Sequence, residues 1–317
     1  MKVLVTGATG FVGSRLLQRL RAEDGYQVVG AVRRLPDVMG SDFFVCGDIG
    51  PDTAWSSGLN GIDVVVHCAA RVHVMHERSA DPLVEFRRVN VGGALNLAQQ
   101  AVASGVRRFV FISSVKVNGE STMAGRPFMA DDIAHPSDPY GISKYEAEQG
   151  LLALGHKSGM EIVIVRPVLV YGPGVKANFL RMMKWVHRGI PLPLGAIHNR
   201  RSLVALDNLV DLLVICMMHP AAAGQTFLAS DEEDLSTSEL LRRLAVALGR
   251  QPRLLHVPAS LLVLASTFLG RSELSQRLCG SLQVDKEKVK RVLGWTPPLS
   301  VREGLQLTAD YFRGHQT

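Results

Sequence analysis

The chain has 317 residues, with Lys+Arg 35 against Asp+Glu 29 for a formal charge of +6, and it is 47% hydrophobic and 20% charged. That mixture excludes a disordered, collagen-like or low-complexity chain and provides apolar material for one large or two interlocked domains. Cys46, Cys68, Cys216 and Cys279 are widely spaced and form no C-x-x-C pair. A disulfide framework is therefore not expected, and a reducing, cytosolic setting is.

The apolar run at Met1 to Val5 is too short for a signal peptide. The longest apolar stretch, Ala259 to Leu269, falls short of the roughly 20 residues a membrane helix needs. It reads as a buried helix, with a membrane-surface role as the alternative. The positive balance invites a nucleic-acid reading, but the basic residues are scattered in pairs: Arg33-Arg34, Arg107-Arg108, Arg200-Arg201 and Arg242-Arg243. The densest run, Lys286 to Arg291, is interrupted by Glu287 and reads as a solvated helix face. Without a continuous stripe or a reading motif, the surplus fits small phosphorylated ligands better than nucleic acid.

In chain order, Lys2 to Val5, Gln27 to Val32, Phe43 to Cys46, Val64 to His67, Phe109 to Ser113 and Ile162 to Val165 read as strands. Helical patterns lie between them at Phe11 to Arg21, Val89 to Ser104 and Tyr140 to Leu154. Alternating strands and helices predict an α/β fold, a doubly wound parallel sheet covered on both faces, with ligands at the carboxyl ends of the strands. After Arg166-Pro167 come a turn at Tyr171 to Gly174, a helix from Asn178 to Arg188 and a proline-rich loop from Pro191 to Gly195. Two further strands are expected at Leu203 to Leu206 and Thr226 to Leu228. The expected division is a cofactor-binding domain over residues 1–170, with 203–228 returning to it. Residues 171–317 then form a smaller, mainly helical substrate-binding lobe.

Gly7, Gly10 and Gly13, with Thr9, Phe11 and Val12 between them, sit where the first strand meets the first helix. Glycines at that spacing permit a tight turn, close approach to a pyrophosphate and close packing of helix on strand. The second strand ends Val32-Arg33-Arg34, with Val32 where an NAD-binding chain places an acid. Arg33 and Arg34 could neutralise a 2′-phosphate, which favours NADP(H) over NAD(H). Asp48 and Ile49, after the third strand, would flank the adenine. Tyr140 and Lys144 lie four apart on one helical face, where a cation favours phenolate and lowers the tyrosine pKa toward a usable range.

These motifs resemble the extended short-chain dehydrogenase/reductase family, the NAD-dependent epimerases and dehydratases with their Rossmann-like fold. The resemblance rests on T-G-A-T-G-F-V-G, H-C-A-A at His67 to Ala70, N-V-G-G from Asn90, S-S from Ser113, Y-G-I-S-K, R-P at Arg166 and Y-G-P-G. It implies Tyr140 as acid/base, Lys144 binding the nicotinamide ribose, and Ser114 hydrogen-bonded to the reacting oxygen. Ala69, Ala70, Asn90, Ser113 and Pro167 would line the cofactor. For a nucleotide-sugar substrate it points to Asn178 and Arg201 at the diphosphate, with Arg277 as a looser second clamp. Leu192 and Leu194 would bracket a uracil ring, and Arg71, His73 and Lys116 would lie near the sugar. A homodimer is expected on the same ground.

Within the family, the segment after Ser114 lacks the acidic pair of the 4,6-dehydratases. The run S-S-V-K-V-N-G-E, with H-C-A-A-R-V-H-V-M-H-E upstream, looks most like 4-keto-reductases of surface-polysaccharide synthesis. Those enzymes reduce a UDP-2-acetamido-2,6-dideoxy-hexulose with NADPH to UDP-N-acetyl-quinovosamine or UDP-N-acetyl-fucosamine. The alternatives are a UDP-sugar 4-epimerase with tightly bound NAD and a non-catalytic dinucleotide sensor. His67, His73 and His76 lack metal-site spacing, so no metal is expected.

Overall fold

A computed structural model describes residues 1–35, 42–72, 81–268, 276 and 278–315. Nine strands are described: β1 (Lys2–Thr6), β2 (Gln27–Val32), β3 (Phe43–Val45), β4 (Val64–His67), β5 (Arg108–Ile112), β6 (Glu161–Pro167), β7 (Leu169–Tyr171), β8 (Leu203–Ala205) and β9 (Thr226–Ala229). Seven of them form one parallel sheet in the order β3-β2-β1-β4-β5-β6-β9, and β7 pairs with β8 in a small parallel sheet. The expected doubly wound sheet is present.

Its strands are apolar nearly throughout because both faces are covered. Leu4, Phe109, Phe111, Ile162 and Ile164 face one core, while the alternating Val3, Val5, Val110, Val163 and Val165 face the other. Period-two alternation sends neighbours to opposite faces, so a strand buried on both must be apolar at every position. Helices α1 (Phe11–Arg21) and α6 (Leu206–Met218) cover one face through residues such as Leu16, Leu20, Leu209 and Leu212. On the opposite face, α3 (Ala94–Ala103) and α4 (Pro139–Ser158) contribute Leu97, Ala101, Ala147 and Leu151.

The chain reverses its winding at β1 and β4, which pair with Thr6 opposite His67. At such a switch the loops leaving adjacent strands diverge and leave a crevice. Here those loops are the glycine turn after Thr6 and Cys68 to Arg71 after His67.

A second core holds Tyr171, Phe179, Met183, Leu241, Leu244 and Phe312. It is built on α5 (Ala177–His187), α7 (Thr237–Ala247) and the C-terminal helix Val301–Gly314. In β8, Leu203 and Ala205 face this second core while Val204 faces the first, so this strand, paired with β7, sits between the two cores; α6 covers the large sheet and β9 joins its edge.

Three sequence expectations change. The helix expected from Val89 begins at Pro82 as α2 (Pro82–Phe86) and runs through a π-helical stretch, Arg87–Gly93, into α3. Its start is fixed by Asp81, whose carboxylate accepts from Leu83 and Val84 N–H. The apolar stretch at Ala259 forms α8 (Ala259–Phe268), but none of its residues is buried. Only Leu262 is packed against the second core among the described residues, and the rest of the helix has no facing partner there. Finally, the Lys286 to Arg291 run is not simply solvated: Lys286 Nζ bonds Asp234 at 2.9 Å and Lys288 Nζ bonds Asp131 at 2.7 Å.

Candidate active site

At the switch point the glycine turn is constrained by neighbours rather than by flexibility alone. Gly7 adopts φ +65°, and a Cβ there would meet Ala69 N at 2.9 Å. A Cβ on Gly13 would overlap the Gly7 carbonyl oxygen outright. Gly10 N donates to Gly7 O at 2.8 Å and occupies the N-cap of α1 with no side-chain cap, so the first-turn N–H groups, including those of Val12 and Gly13, are left for a ligand. Eleven aligned residues behind them favour an anion at this position.

Thr6 ties the two switch-point loops together. Its Oγ1 lies 2.8 Å from His67 Nδ1 and accepts from Ala69 N at 3.2 Å. Burial pushes the His67 imidazole down to about 3, with the Lys144 charge adding to the effect, so the ring is neutral and packed on Phe111. His67 is therefore a fully engaged core residue. Cys68 beside it is pushed up to about 12 by burial and remains a thiol.

Helix α4 carries Tyr140 and Lys144. Asp138 is its N-cap, accepting from Gly141 N at 2.6 Å, with Pro139 in the first turn and Gly159 at φ 79° closing it. These signals set the helix phase, so that Tyr140, Lys144 and Glu148 follow at four-residue intervals along one face. Lys144 is 1% exposed and its Nζ lies 4.0 Å from the Phe111 ring centroid. Desolvation lowers it to about 7, while the charge of Glu148 opposes the fall.

Tyr140 departs from the expectation of a lowered pKa. Desolvation, aided by the Asp138 carboxylate, pushes its phenol up to about 12, and hydrogen bonding to Ser114 pulls only partly back. Lys144 is turned toward Phe111, Cys68 and Glu148 rather than acting on the phenol.

Ser114 caps the 3-10 turn Val115–Val117 by accepting from Lys116 N at 3.2 Å. Ser113, one residue earlier, is buried, and its Oγ has no partner among the described residues. An unpartnered buried hydroxyl costs free energy unless a ligand completes it. Together with the glycine cradle and the uncapped α1 terminus, this orphan fits a bound nicotinamide dinucleotide. Asn90 sits in the π-helical stretch at 1% exposure; its amide donates to Arg71 O and Ser143 Oγ, both at 3.0 Å, and accepts from Arg71 N at 2.8 Å. It thus fastens the loop after β4 to α4. Arg71 lies over Phe86, whose ring meets Tyr140 edge-on at 6.1 Å. Ala69 and Ala70 are half-buried on this loop, and Pro167 is buried at the end of β6.

The end of β2 has the predicted form. Val32 is 3% exposed, and Arg33 and Arg34 are exposed beyond it, with Arg33 3.7 Å from the equally exposed Asp48. Ile49 packs into the core beside Gly93.

The substrate candidates divide. Arg201 is half-buried and its Nη1 donates to the Gly280 carbonyl at 3.0 Å; among the described residues it pairs with no carboxylate, and burial pulls its guanidinium down from its ordinary range. Asn178 is exposed, second in α5 and not its cap. Lys116 is committed elsewhere: its ammonium is ion-paired to Asp138 and lies 3.4 Å from Glu120, so it braces the start of α4 rather than reaching for a sugar. Leu192 and Leu194 bury their side chains in the second core, leaving Pro191 and Pro193 exposed on that loop. Their apolar character serves packing first. His73 and Arg277 lie outside the described residues. No cluster of metal-ligating side chains occurs among the described residues.

Sequence reasoning missed the network behind Lys144. Arg166 forms a bidentate pair with Glu148, Nε to Oε1 at 2.9 Å and Nη2 to Oε2 at 2.6 Å, and also donates to Asn118 Oδ1 and Ala130 O. The signal was available: Glu148 continues the Tyr140/Lys144 spacing, and R-P had been singled out. Tyr171 of Y-G-P-G is likewise structural, donating to the buried Asp231 at 2.8 Å.

Comparisons with known proteins agree with this geometry. A UDP-glucose 4-epimerase of Vibrio cholerae is 50% identical over 311 residues, covering 98% of this chain and 95% of the relative. An N-acetyl-alpha-D-glucosaminyl-diphospho-ditrans,octacis-undecaprenol 4-epimerase of Escherichia coli O157:H7 is 28% identical over 330 residues, covering 98% and 94%. Among solved structures, MoeE5 in complex with UDP-glucose and NAD superposes with a TM-score of 0.77 at 26% identity, over 100% of both chains. Residues 3–229 match the family described as NAD dependent epimerase/dehydratase. The chain belongs to that family, and its site is that of an enzyme modifying nucleotide sugars with a nicotinamide dinucleotide.

Proposed function

We propose that the protein is a UDP-sugar 4-epimerase, interconverting the two configurations at C4 of a UDP-linked hexose. The observation that most supports this reading is the 50% identity to the Vibrio cholerae UDP-glucose 4-epimerase across 98% of the chain. It outweighs the motif-level resemblance to 4-keto-reductases, which rests on two short segments, Ser113 to Glu120 and His67 to Glu77.

The glycine turn, the α1 N-terminus and Ser113 hold the dinucleotide, which supplies the hydride acceptor and donor for oxidation and re-reduction at C4. Tyr140 takes the proton from the C4 hydroxyl and later returns it, while the Ser114 hydroxyl holds the reacting oxygen by a hydrogen bond. A phenol near 12 is a poor base, so Tyr140 needs a cation beside it. Lys144, whose ammonium lies over Phe111 in this structure, supplies that cation once it turns toward the phenol, kept charged by Glu148 against its own burial. Arg201, half-buried without a carboxylate partner among the described residues, offers free donors to the diphosphate.

One feature favours a second reading. Val32 stands buried where an acid would hold the adenosine ribose, with Arg33 and Arg34 exposed beyond it. That pattern suits NADP(H), which as an exchangeable cofactor suits net reduction of a UDP-2-acetamido-2,6-dideoxy-hexulose. The test is to incubate the purified protein with UDP-glucose or UDP-N-acetylglucosamine, without added cofactor. Products are then resolved and the nucleotide released on denaturation is identified. The epimerase reading expects the C4 epimers and co-purified NAD. Absence of epimers, with NADPH oxidised by the keto-sugar, overturns it in favour of the reductase.

A further inference from the structure

Helix α8 is an anomaly for a protein surface. Leu261 and Leu264 are each 55% exposed and Phe268 84%, with Leu255 just ahead of the helix also at 55%. The helix carries no charge, and two of its three hydroxyls turn back on its own backbone: Ser266 Oγ and Thr267 Oγ1 both donate to Val263 O, at 2.8 and 2.9 Å. That is how serine and threonine are accommodated in lipid.

The surroundings are cationic without relief. From 172 to 206 the sequence holds Lys176, Arg181, Lys184, Arg188, Arg200 and Arg201, and not one Asp or Glu. From 244 to 268 it holds Arg250 and Arg253, again with no acid. The structure lays these stretches side by side through bridges Leu192 to Leu254 and Ala196 to Pro258, leading directly into α8. Lys184, Arg188, Arg250 and Arg253 are all exposed there, beside the exposed Trp185 and Ile190. An apolar helix rimmed by cations and an exposed Trp is the composition of an interfacial element on an anionic bilayer. A second copy is disfavoured as the occupant, because a two-fold contact would set the acid-free strip against itself.

We infer that α8 and its cationic rim dock the protein on the surface of a membrane containing anionic lipid, without crossing it. The inference does not rest on the epimerase reading. The test is co-sedimentation of the full-length protein with phosphatidylglycerol/phosphatidylethanolamine vesicles and with phosphatidylcholine vesicles, at low and high salt. It is repeated with Leu261→Glu/Leu264→Glu, and light scattering and circular dichroism are recorded for both proteins. Expected is salt-sensitive binding to the anionic vesicles only, weakened about tenfold or more in the variant with its spectrum unchanged. No binding, equal binding of wild type and variant, or a wild-type dimer that the variant dissociates would each overturn the proposal. A variant that unfolds is replaced by Arg250→Ser/Arg253→Ser, which must weaken binding in the same way.

Discussion

Glu148→Gln should separate the electrostatics of the site from its architecture. Glu148 is 1% exposed and meets Arg166, 6% exposed, in two parallel hydrogen bonds of 2.9 and 2.6 Å. Removing one partner of such a pair leaves an uncompensated buried charge and costs about 3–5 kcal/mol. Arg166 would keep its bonds to Asn118 and Ala130, and the new amide keeps one acceptor, which places the loss near about 3 kcal/mol. A second consequence distinguishes this from generic damage. Glu148 raises the pKa of Lys144 against desolvation, so without it the ammonium, now near 7, deprotonates at lower pH. A basic group loses its charge as pH rises through its pKa, so the decline of kcat/KM on the alkaline side should move to lower pH. Urea unfolding followed by circular dichroism reads the first effect, and the pH profile reads the second. Glu148→Asp, which keeps the charge but shortens the reach, should restore the profile more than the stability. If Glu148→Gln unfolded within about 0.5 kcal/mol of wild type and gave an unshifted profile, the proposed coupling would be refuted.

Gly13→Ala should abolish dinucleotide binding measured by calorimetry, because its Cβ would overlap the Gly7 carbonyl and displace the turn, at a stability cost of about 1–3 kcal/mol. Arg201→Met should weaken UDP binding about tenfold to a hundredfold while leaving the unfolding midpoint nearly unchanged, since a charge-assisted hydrogen bond is worth about 1.5–3 kcal/mol; unchanged UDP affinity would remove Arg201 from the site. His67 is held near 3, below its ordinary 6.5, so the unfolded chain takes up a proton that the folded one refuses. Its contribution is complete above pH 6.5 and is lost toward pH 3 at about 1.4 kcal/mol per unit, and the acid slope of stability should be shallower by that amount in His67→Gln.

The alternation of strands and helices was legible because both faces of a parallel sheet must be apolar, and the glycine turn was legible because only glycine avoids the Gly7 carbonyl and Ala69. Asn90 was legible from its motif but its mechanism was not: the π-helical stretch that turns it inward leaves no compositional trace. Lys116 illustrates the opposite limit. A lysine two residues past Ser114 looked available to a ligand, and nothing local announced that Asp138, twenty-two residues later, would claim it. Leu192 and Leu194 failed similarly, since a loop pattern does not say which side chains face the interior. The burial expected for α8 failed because hydrophobicity predicts a partner without supplying one.

The arrangement around Lys144 follows from two demands that conflict. On the proposed function the cation is to be shielded from water so that its charge can act on the reacting oxygen, yet shielding lowers it to about 7 and threatens the charge itself. A carboxylate four residues along the same helix resolves that conflict, but a free one would fold back as an ordinary ion pair. Arg166 prevents this by fixing both Glu148 oxygens and anchoring to Asn118 and Ala130 on the far side. The carboxylate is thereby held at a set place in α4, charged but already bonded. On this argument Arg166 is a positioning residue for the acid/base helix, acting through Glu148. Replacing both Arg166 and Glu148 with apolar residues should then recover stability without recovering the pH profile.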